Sequence, residues 1–191
     1  CLMLGLAAAS AILTGQARAA MLEIAIVPSE TEVHVGETFT VDLVANILGG
    51  GSEELAVWGM DLNVSDPSLV SQTNLTIDSS WTPFDAGDGD GLAGWTVPES
   101  GDAIAQNNIH LATVSFTAES AGELNLMGSY ANDGFEAFGF IDVADDFAMS
   151  TPESVEFLDA SVTVVPLPAT IGLAALGFGT LVLARRRIKV A

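Results

Sequence analysis

The central part of this 191-residue chain has no basic side chains. Residues 21–165 contain all 25 Asp and Glu residues and no Lys or Arg, because the five basic residues of the chain are Arg18, Arg185, Arg186, Arg187 and Lys189. A segment of charge −25 (25 acidic residues, no Lys or Arg) cannot neutralise phosphates, which excludes nucleic acid as a partner and disfavours an anionic membrane surface. Its self-repulsion predicts stabilisation by salt or calcium, although the acids could equally serve only the solubility of a secreted protein.

Cysteine and histidine are equally scarce. The only cysteine is Cys1, so residues 21–165 form no disulfide and must be stabilised by a hydrophobic core. With His34 and His110 as the only histidines, there is little material for a Ser-His-Asp triad, a Cys-His pair or a His-rich zinc site. We predict both histidines to be exposed strand residues. Acidic pairs suited to glycoside hydrolysis are too easily formed among 25 acids to be informative. No catalytic residue, and no enzyme, is predicted.

The first 20 residues have the organisation of a secretory signal peptide. An apolar stretch at 2–13 is followed by three polar or small residues and then by an A-x-A cleavage site, Ala17-Arg18-Ala19. We expect the basic start of the signal to lie upstream of Cys1. A lipoprotein cysteine at Cys1 is the disfavoured alternative, because the apolar stretch and cleavage site follow it. The sequence predicts export.

The last 22 residues combine a short apolar segment with a basic end. Residues 170–184 are uncharged and rich in Gly, Ala and Leu, and the residues of the basic end are Arg185, Arg186, Arg187 and Lys189. Such a basic flank is typical of the cytoplasmic side of a membrane span. A helix of about 17 residues reaches only roughly 25 Å, short of the hydrocarbon core of roughly 30 Å. We therefore predict a marginal transmembrane helix, with an ordinary single-span anchor as the alternative.

The residues before that segment give the C-terminus a recognisable order. Val165-Pro166-Leu167-Pro168-Ala169 precede the apolar helix, the basic cluster and the chain end. This order resembles the PEP-CTERM sorting signal in its VPLPA variant, since Leu167 stands where the common form has Glu. The resemblance implies processing by an exosortase near residues 166–169 and delivery to the cell surface or extracellular matrix. It also implies association with exopolysaccharide and biofilm.

Alternation of apolar and polar residues dominates the region between the two ends. It predicts an all-β fold, a jelly-roll β-sandwich of about nine strands, with Trp58 in the core. Phe39, Val41 and Leu43, for example, share one strand face with Ala45 and Ile47. The predicted strand segments are 22–27, 32–35, 38–47, 58–64, 69–77, 112–118, 123–129, 135–141 and 155–164. The domain organisation is therefore a signal peptide at 1–20, an acidic sandwich at 21–164 and a sorting signal at 165–191.

Three segments of this region resemble the cohesin family. They are Val35-Gly36-Glu37-Thr38-Phe39-Thr40-Val41-Asp42, residues 58–70 with Asp66-Pro67 at the turn, and residues 111–118 with Ala121-Gly122 after them. The resemblance spans most of residues 32–164 and implies a nine-stranded jelly roll related to some carbohydrate-binding modules. Cohesins bind dockerins, but this chain has a single copy and no dockerin, so the resemblance supports the fold more than that function.

An acidic, glycine-rich segment is the best candidate for a metal site. Asp85, Asp88 and Asp90 alternate with small residues, and carboxylate oxygens around flexible glycines are typical ligands of calcium. The spacing does not fit an EF-hand loop, so the alternatives are an irregular calcium site and a plain acidic loop. A weaker cluster is formed by Asp142, Asp145 and Asp146.

Aromatic residues flank the same segment. Trp81 and Trp95 lie on either side of it, close to Phe84, and exposed aromatic rings stack on sugars in many glycan-binding sites. We predict a glycan-binding surface at Trp81 and Trp95, with the alternative that these rings cap the end of the core.

Taken together, these features predict a non-enzymatic surface or extracellular-matrix protein that is processed by an exosortase and associated with exopolysaccharide. The alternative is a carbohydrate- or protein-binding adhesion module of the cohesin type that stays anchored in the membrane. The expected partners are the exosortase, the membrane through residues 170–184, and an extracellular polysaccharide or protein. Calcium is the only cofactor considered.

Overall fold

The computed structural model describes residues 20–49, 53–83, 92–96, 107–130, 138–142 and 148–167. Thirteen strands lie within them. In chain order they are β1 (Met21–Pro28), β2 (Glu32–His34), β3 (Thr38–Leu48), β4 (Glu53–Val64), β5 (Val70–Ile77), β6 (Thr82–Pro83), β7 (Ala93–Trp95), β8 (Ile109–Ala118), β9 (Gly122–Tyr130), β10 (Gly139–Asp142), β11 (Ala148–Ser150), β12 (Ser154–Leu158) and β13 (Ala160–Val165).

The strands form two sheets that face each other across a hydrophobic core. The smaller sheet has the order β12-β1-β3-β8-β5. The larger sheet has the order β11-β10-β4-β9-β13-β2, and β7 pairs with β4 and with β6 beside this path. The predicted all-β sandwich is confirmed, and each of the nine predicted segments overlaps a strand.

Alternation decides which side chains enter the core. Phe39, Val41 and Leu43 are at most 2% exposed, while the residues between them on β3 are partly exposed. Trp58 and Met60 on β4 are completely buried, so the prediction that Trp58 belongs to the core is confirmed. Two sheets that each turn one face inward explain how 145 residues without disulfides can bury a continuous core.

Four strands more than the predicted nine are present among the described residues, for two reasons. The predicted segment 155–164 is two strands, β12 and β13, which join different sheets on either side of Asp159. The other three, β6, β7 and β11, are only two or three residues long, too short for a period of two to be visible.

β4 also begins five residues earlier than predicted. Its pairing with β10 shifts between Gly139 and Phe140, so that Ala56 has no partner in the register. Such a β-bulge interrupts alternation, and Leu55 and Ala56 are accordingly both buried. The alternation that reveals β4 in the sequence is therefore visible only from Trp58 onwards.

Parallel pairs close the sandwich at both sheets. β1 runs parallel to β12 from Met21 to Ala25, and β2 runs parallel to β13, with Val165 opposite His34. β1 and β2 belong to different sheets, as do β12 and β13. The first and last segments of the domain therefore cross between the sheets side by side.

The predicted signal helix and the predicted transmembrane helix at 170–184 lie outside the described residues. Within the described ranges, we find no helix long and apolar enough to cross a bilayer. Both helices remain predictions.

Candidate binding face

The outer face of the larger sheet is set by the burial of β4. Because Trp58 and Met60 point into the core, Val57, Gly59 and Asp61 point away from it. Asn63 continues this outer face and donates a hydrogen bond from Nδ2 to Ser129 Oγ on β9 (2.9 Å). The face therefore spans β4 and its neighbours on both sides.

One row of side chains crosses this face through four strands. Thr82 on β6 pairs with Trp95 on β7, Trp95 pairs with Val57 on β4, and Val57 pairs with Gly139 on β10. Trp95 is 40% exposed, a high value for so large an apolar side chain, whereas Gly139 adds no side chain. We call this row, together with Glu54 and Ile141 beside it, the outer patch.

Glu54 gives the outer patch an unusual charge. Its side chain is only 8% exposed, and its Oε2 atom has no hydrogen-bond partner among the described residues. Glu54 pairs with Ile141 on β10 and so lies next to the row of Trp95 and Val57. A buried carboxylate oxygen without a partner is costly, because it has lost water and gained nothing in exchange.

Two tryptophans and a glycine support the patch from beneath. Trp58 and Trp81 meet edge to face, with ring centroids 6.3 Å apart. A Cβ atom at Gly94 would lie 2.7 Å from Trp58 Nε1 and 3.0 Å from Trp81 Cβ, so only glycine fits between them. The two rings therefore fix how far β7, and with it Trp95, lies from the core.

The two tryptophans of the predicted glycan surface lie in different environments. Trp81 is 4% exposed, and its Nε1 donates a hydrogen bond to the carbonyl oxygen of His110 (2.9 Å). This position favours the alternative in which Trp81 caps the core. Trp95 is accessible, and stacking on a sugar stays a prediction for this residue alone.

A polar cluster surrounds His110 on the opposite, smaller sheet. His110 Nδ1 lies 3.2 Å from Asp78 Oδ2, and Nε2 lies 3.4 Å from Asp42 Oδ1. Thr113 donates to Asp42 Oδ1 (2.6 Å) and its Oγ1 is 3.2 Å from His110 Nε2. The four side chains come from β3, β8 and the turn after β5. We call them the His110 cluster.

The amide of Ser80 stabilises the ionised form of Asp78. It donates to Asp78 Oδ1 (2.9 Å) and is the main cause that lowers the pKa of Asp78. Burial raises this pKa by less than the amide lowers it, and the Ser80 hydroxyl and His110 lower it further by smaller amounts. Asp78 therefore stays ionised at lower pH than an ordinary aspartate. Any stability that its ionised form contributes is present above the usual aspartate range and is lost as the pH falls through the lowered value.

His34 has a simpler environment. Its Nδ1 lies 3.3 Å from Glu37 Oε2 across the turn that contains Gly36, and its amide donates to the same oxygen (2.8 Å). That amide is the main cause that lowers the pKa of Glu37. Both histidines are partly exposed strand residues, and both are engaged with carboxylates.

The remaining predicted site residues lie mostly outside the described ranges. This holds for Ala17 and Ala19 of the signal cleavage site, for the calcium candidates Asp85, Asp88 and Asp90, and for Pro168, Ala169, Arg185, Arg186, Arg187 and Lys189 of the sorting signal. Asp145 and Asp146 lie there too. Within the described part of the chain, no three His, Cys, Asp or Glu side chains are placed to share a metal ion.

The start of the sorting motif is described. Val165 is the last residue of β13, and its carbonyl oxygen accepts a hydrogen bond from the Val35 amide (3.0 Å). Pro166 and Leu167 follow outside the sheet, and Leu167 is 50% exposed. The motif thus begins at the residue where the sandwich ends.

Comparison with solved structures identifies the fold. The seventh ScaB type I cohesin of Pseudobacteroides cellulosolvens superposes with a TM-score of 0.54 and 16% identity, over 78% of this chain and 94% of that one. The third cohesin of ScaC from Acetivibrio cellulolyticus, solved in complex with the ScaB dockerin, gives a TM-score of 0.50 and 15% identity, over 76% of this chain and 99% of that one. No protein-family model matches the sequence, and no curated protein matches it significantly. The sandwich is therefore cohesin-like in fold.

Proposed function

We propose that residues 21–165 form an exported, non-enzymatic adhesion module that binds a protein partner through the outer patch. The observation that carries this proposal is the exposed Trp95 in a row beside Glu54, a buried carboxylate whose Oε2 has no partner among the described residues. Tryptophan is among the side chains most often found as anchors of protein interfaces. The cohesin-like fold adds support, because one of the similar cohesins was solved with a dockerin bound.

The charge of the domain narrows the class of partner. Residues 21–165 supply no Lys or Arg that could reach Glu54. We propose that the partner brings an apolar group to Trp95 and Val57 and a basic side chain to the surface above the buried Glu54. Charge complementarity of this kind would also speed association, since the field of the acidic domain attracts a basic surface from a distance.

The experiment is a quantitative capture assay. The domain is immobilised, its ligand is identified from the extracellular fraction of the producing cells, and the Kd is then measured with purified components. We expect Trp95→Ala to weaken binding by at least about tenfold, the effect of a central anchor. Glu54→Gln should weaken binding and reduce its dependence on salt, because one ionic contact is lost.

Met127→Ala is the matched control for this assay. Met127 is 37% exposed on the same sheet, but it pairs with Asn63, six residues along β4 from Val57. We expect the Kd of the Met127→Ala domain to stay within about twofold of the Kd of the unsubstituted domain. Equal losses for the Trp95 and Met127 variants would contradict the outer patch as the binding face. A ligand that proves to be a polysaccharide would instead favour the glycan-binding alternative at Trp95.

For the processing of the chain we propose sorting by an exosortase, followed by release to the cell surface or matrix and association with exopolysaccharide. The support is the order of motif, apolar segment and basic end in the sequence. A further argument is the position of Val165 at the end of β13, which leaves Leu167 accessible directly after the fold. The competing proposal is permanent anchoring through residues 170–184.

Intact-mass measurement of the protein from producing cells separates these two proposals. We expect the extracellular form to end near residues 166–169 in cells that have the exosortase, and to be absent when the exosortase gene is deleted. Replacement of both Pro166 and Pro168 by Ala should have the same effect as the deletion. A mature membrane form that retains Ala191 in every strain would show that the chain is an ordinary anchored protein.

A further inference from the structure

The His110 cluster lies where the chain leaves the smaller sheet for the β6–β7 edge of the larger one. Asp78 follows the last residue of β5, and its amide donates to the Leu111 carbonyl oxygen (3.0 Å). The Trp81 amide donates to the Asp78 carbonyl oxygen (3.0 Å), and Trp81 Nε1 donates to the His110 carbonyl oxygen (2.9 Å). His110 is thus in contact with both ends of the turn 78–81.

That turn leads directly to the outer patch. Thr82 follows Trp81 and pairs with Trp95, and the Trp81 side chain lies under Gly94, next to Trp95 in sequence. The position of Trp95 therefore depends on the position of Trp81, and the position of Trp81 on the turn that His110 holds. A change at His110 can therefore reach the outer patch through Trp81 and Thr82.

The number of protons on the ring decides how many contacts His110 makes. Nδ1 lies 3.2 Å from Asp78 Oδ2, whereas Nε2 lies 3.4 Å from Asp42 Oδ1 and 3.2 Å from Thr113 Oγ1. Among the described residues, these two carboxylates form the ion pairs of the ring. A neutral imidazole carries one N–H and no charge, so it donates to only one of its neighbours and has no ionic attraction to either carboxylate. Only the doubly protonated ring attracts Asp78 and Asp42 at once, and histidine is the side chain that changes its charge between pH 5 and 8.

We propose that His110 is a proton-operated clasp that fixes the 78–81 turn, and with it Trp95, when the imidazole carries two protons. In that state the ring joins Asp42 on β3 to Asp78 in the turn, with His110 itself on β8. When the ring loses one proton, its ionic attraction to both aspartates is lost and the turn is held less firmly. The role in partner binding rests on the proposed function of the outer patch, whereas the clasp itself does not.

Amide hydrogen exchange tests the clasp without any partner. The reporter is the Trp81 amide, whose acceptor is the Asp78 carbonyl oxygen. After correction for the intrinsic effect of pH, we expect its protection to fall by about fivefold between about pH 5.5 and pH 7.5, since partly exposed ion pairs of this kind each contribute modestly. In His110→Gln the protection should be low and equal at both pH values. Asp78→Asn, which removes one of the two ionic contacts of the ring, should reduce the change with pH.

His34→Gln is the matched control, because His34 also pairs with a carboxylate, that of Glu37, but in a different turn. This variant should keep the full pH dependence at Trp81. The clasp is refuted if parental protection is the same at both pH values, or if His110→Gln responds to pH as the parent does. It is also refuted if a chelator abolishes the effect, since a metal ion would then join the side chains. None of these outcomes depends on the partner, so the proposed function would stand or fall separately.

Discussion

Gly94→Ala is expected to destabilise the domain by about 2 kcal/mol, a large effect for the addition of one methyl group. The new Cβ would lie 2.7 Å from Trp58 Nε1 and 3.0 Å from Trp81 Cβ, and both tryptophans are almost fully buried. Neither ring can move outwards without displacing its neighbours, so β7 must lift. Chemical denaturation monitored by tryptophan fluorescence measures the loss directly.

A control and a rescue make this result specific. Gly139→Ala adds the same methyl group to another strand of the same sheet, where the nearest atom, Val57 Cβ, is 3.7 Å away. We expect no loss there, and a small gain, because alanine restricts the unfolded chain. Trp58→Phe removes the Nε1 atom that the Gly94 methyl group would meet. The double variant Gly94→Ala, Trp58→Phe should therefore be less destabilised than the sum of the two single variants.

Salt is expected to have the largest effect of any solution variable. Residues 21–165 carry 25 acidic side chains, and their only candidates for positive charge are His34 and His110, each already paired with carboxylates. Raising NaCl from about 0.01 M to about 1 M shortens the Debye length from about 30 Å to about 3 Å and screens this repulsion. We expect the melting temperature to rise by about 10 °C.

Melting temperatures measured with calcium distinguish general screening of the acidic charge from binding of an ion at a specific site. If Asp85, Asp88 and Asp90 hold a calcium ion, as we propose from the sequence, millimolar CaCl2 should stabilise the domain more than MgCl2 at equal ionic strength. Replacing the three aspartates by Asn should remove that difference but leave the NaCl effect. A melting temperature that does not change with NaCl would contradict the electrostatic argument itself.

The fold could be predicted from the sequence because most of its strands turn one face to the core. The alternation of Phe39, Val41 and Leu43 predicted β3 within one residue at each end. The prediction of strand boundaries failed where a local irregularity of the backbone interrupts the alternation of apolar and polar residues. The bulge at Ala56 places two consecutive residues in the core, and the change of sheet at Asp159 divides an apparently continuous strand.

The candidate site was harder to predict, because it depends on pairing between distant strands. Trp95 could be singled out as an aromatic residue near a polar loop, but nothing in the sequence places it beside Val57 and near Glu54. His110 looked like an ordinary exposed strand residue for the same reason. Its partners Asp42 and Asp78 are 68 and 32 positions away, and only the order β3-β8-β5 brings them together. The signal peptide and sorting motif, by contrast, are local patterns and stay predictions.

The parallel pairs that close the sandwich have a mechanical consequence. β1 begins at Met21 and β13 ends at Val165, while β12 runs parallel to β1 and β13 runs parallel to β2. Tension applied between these two ends pulls neighbouring strands in opposite directions along their length. The backbone hydrogen bonds of each ladder are then loaded together in shear and do not open one by one. A load carried between Met21 and Val165 would therefore meet high resistance until an entire ladder slips at once.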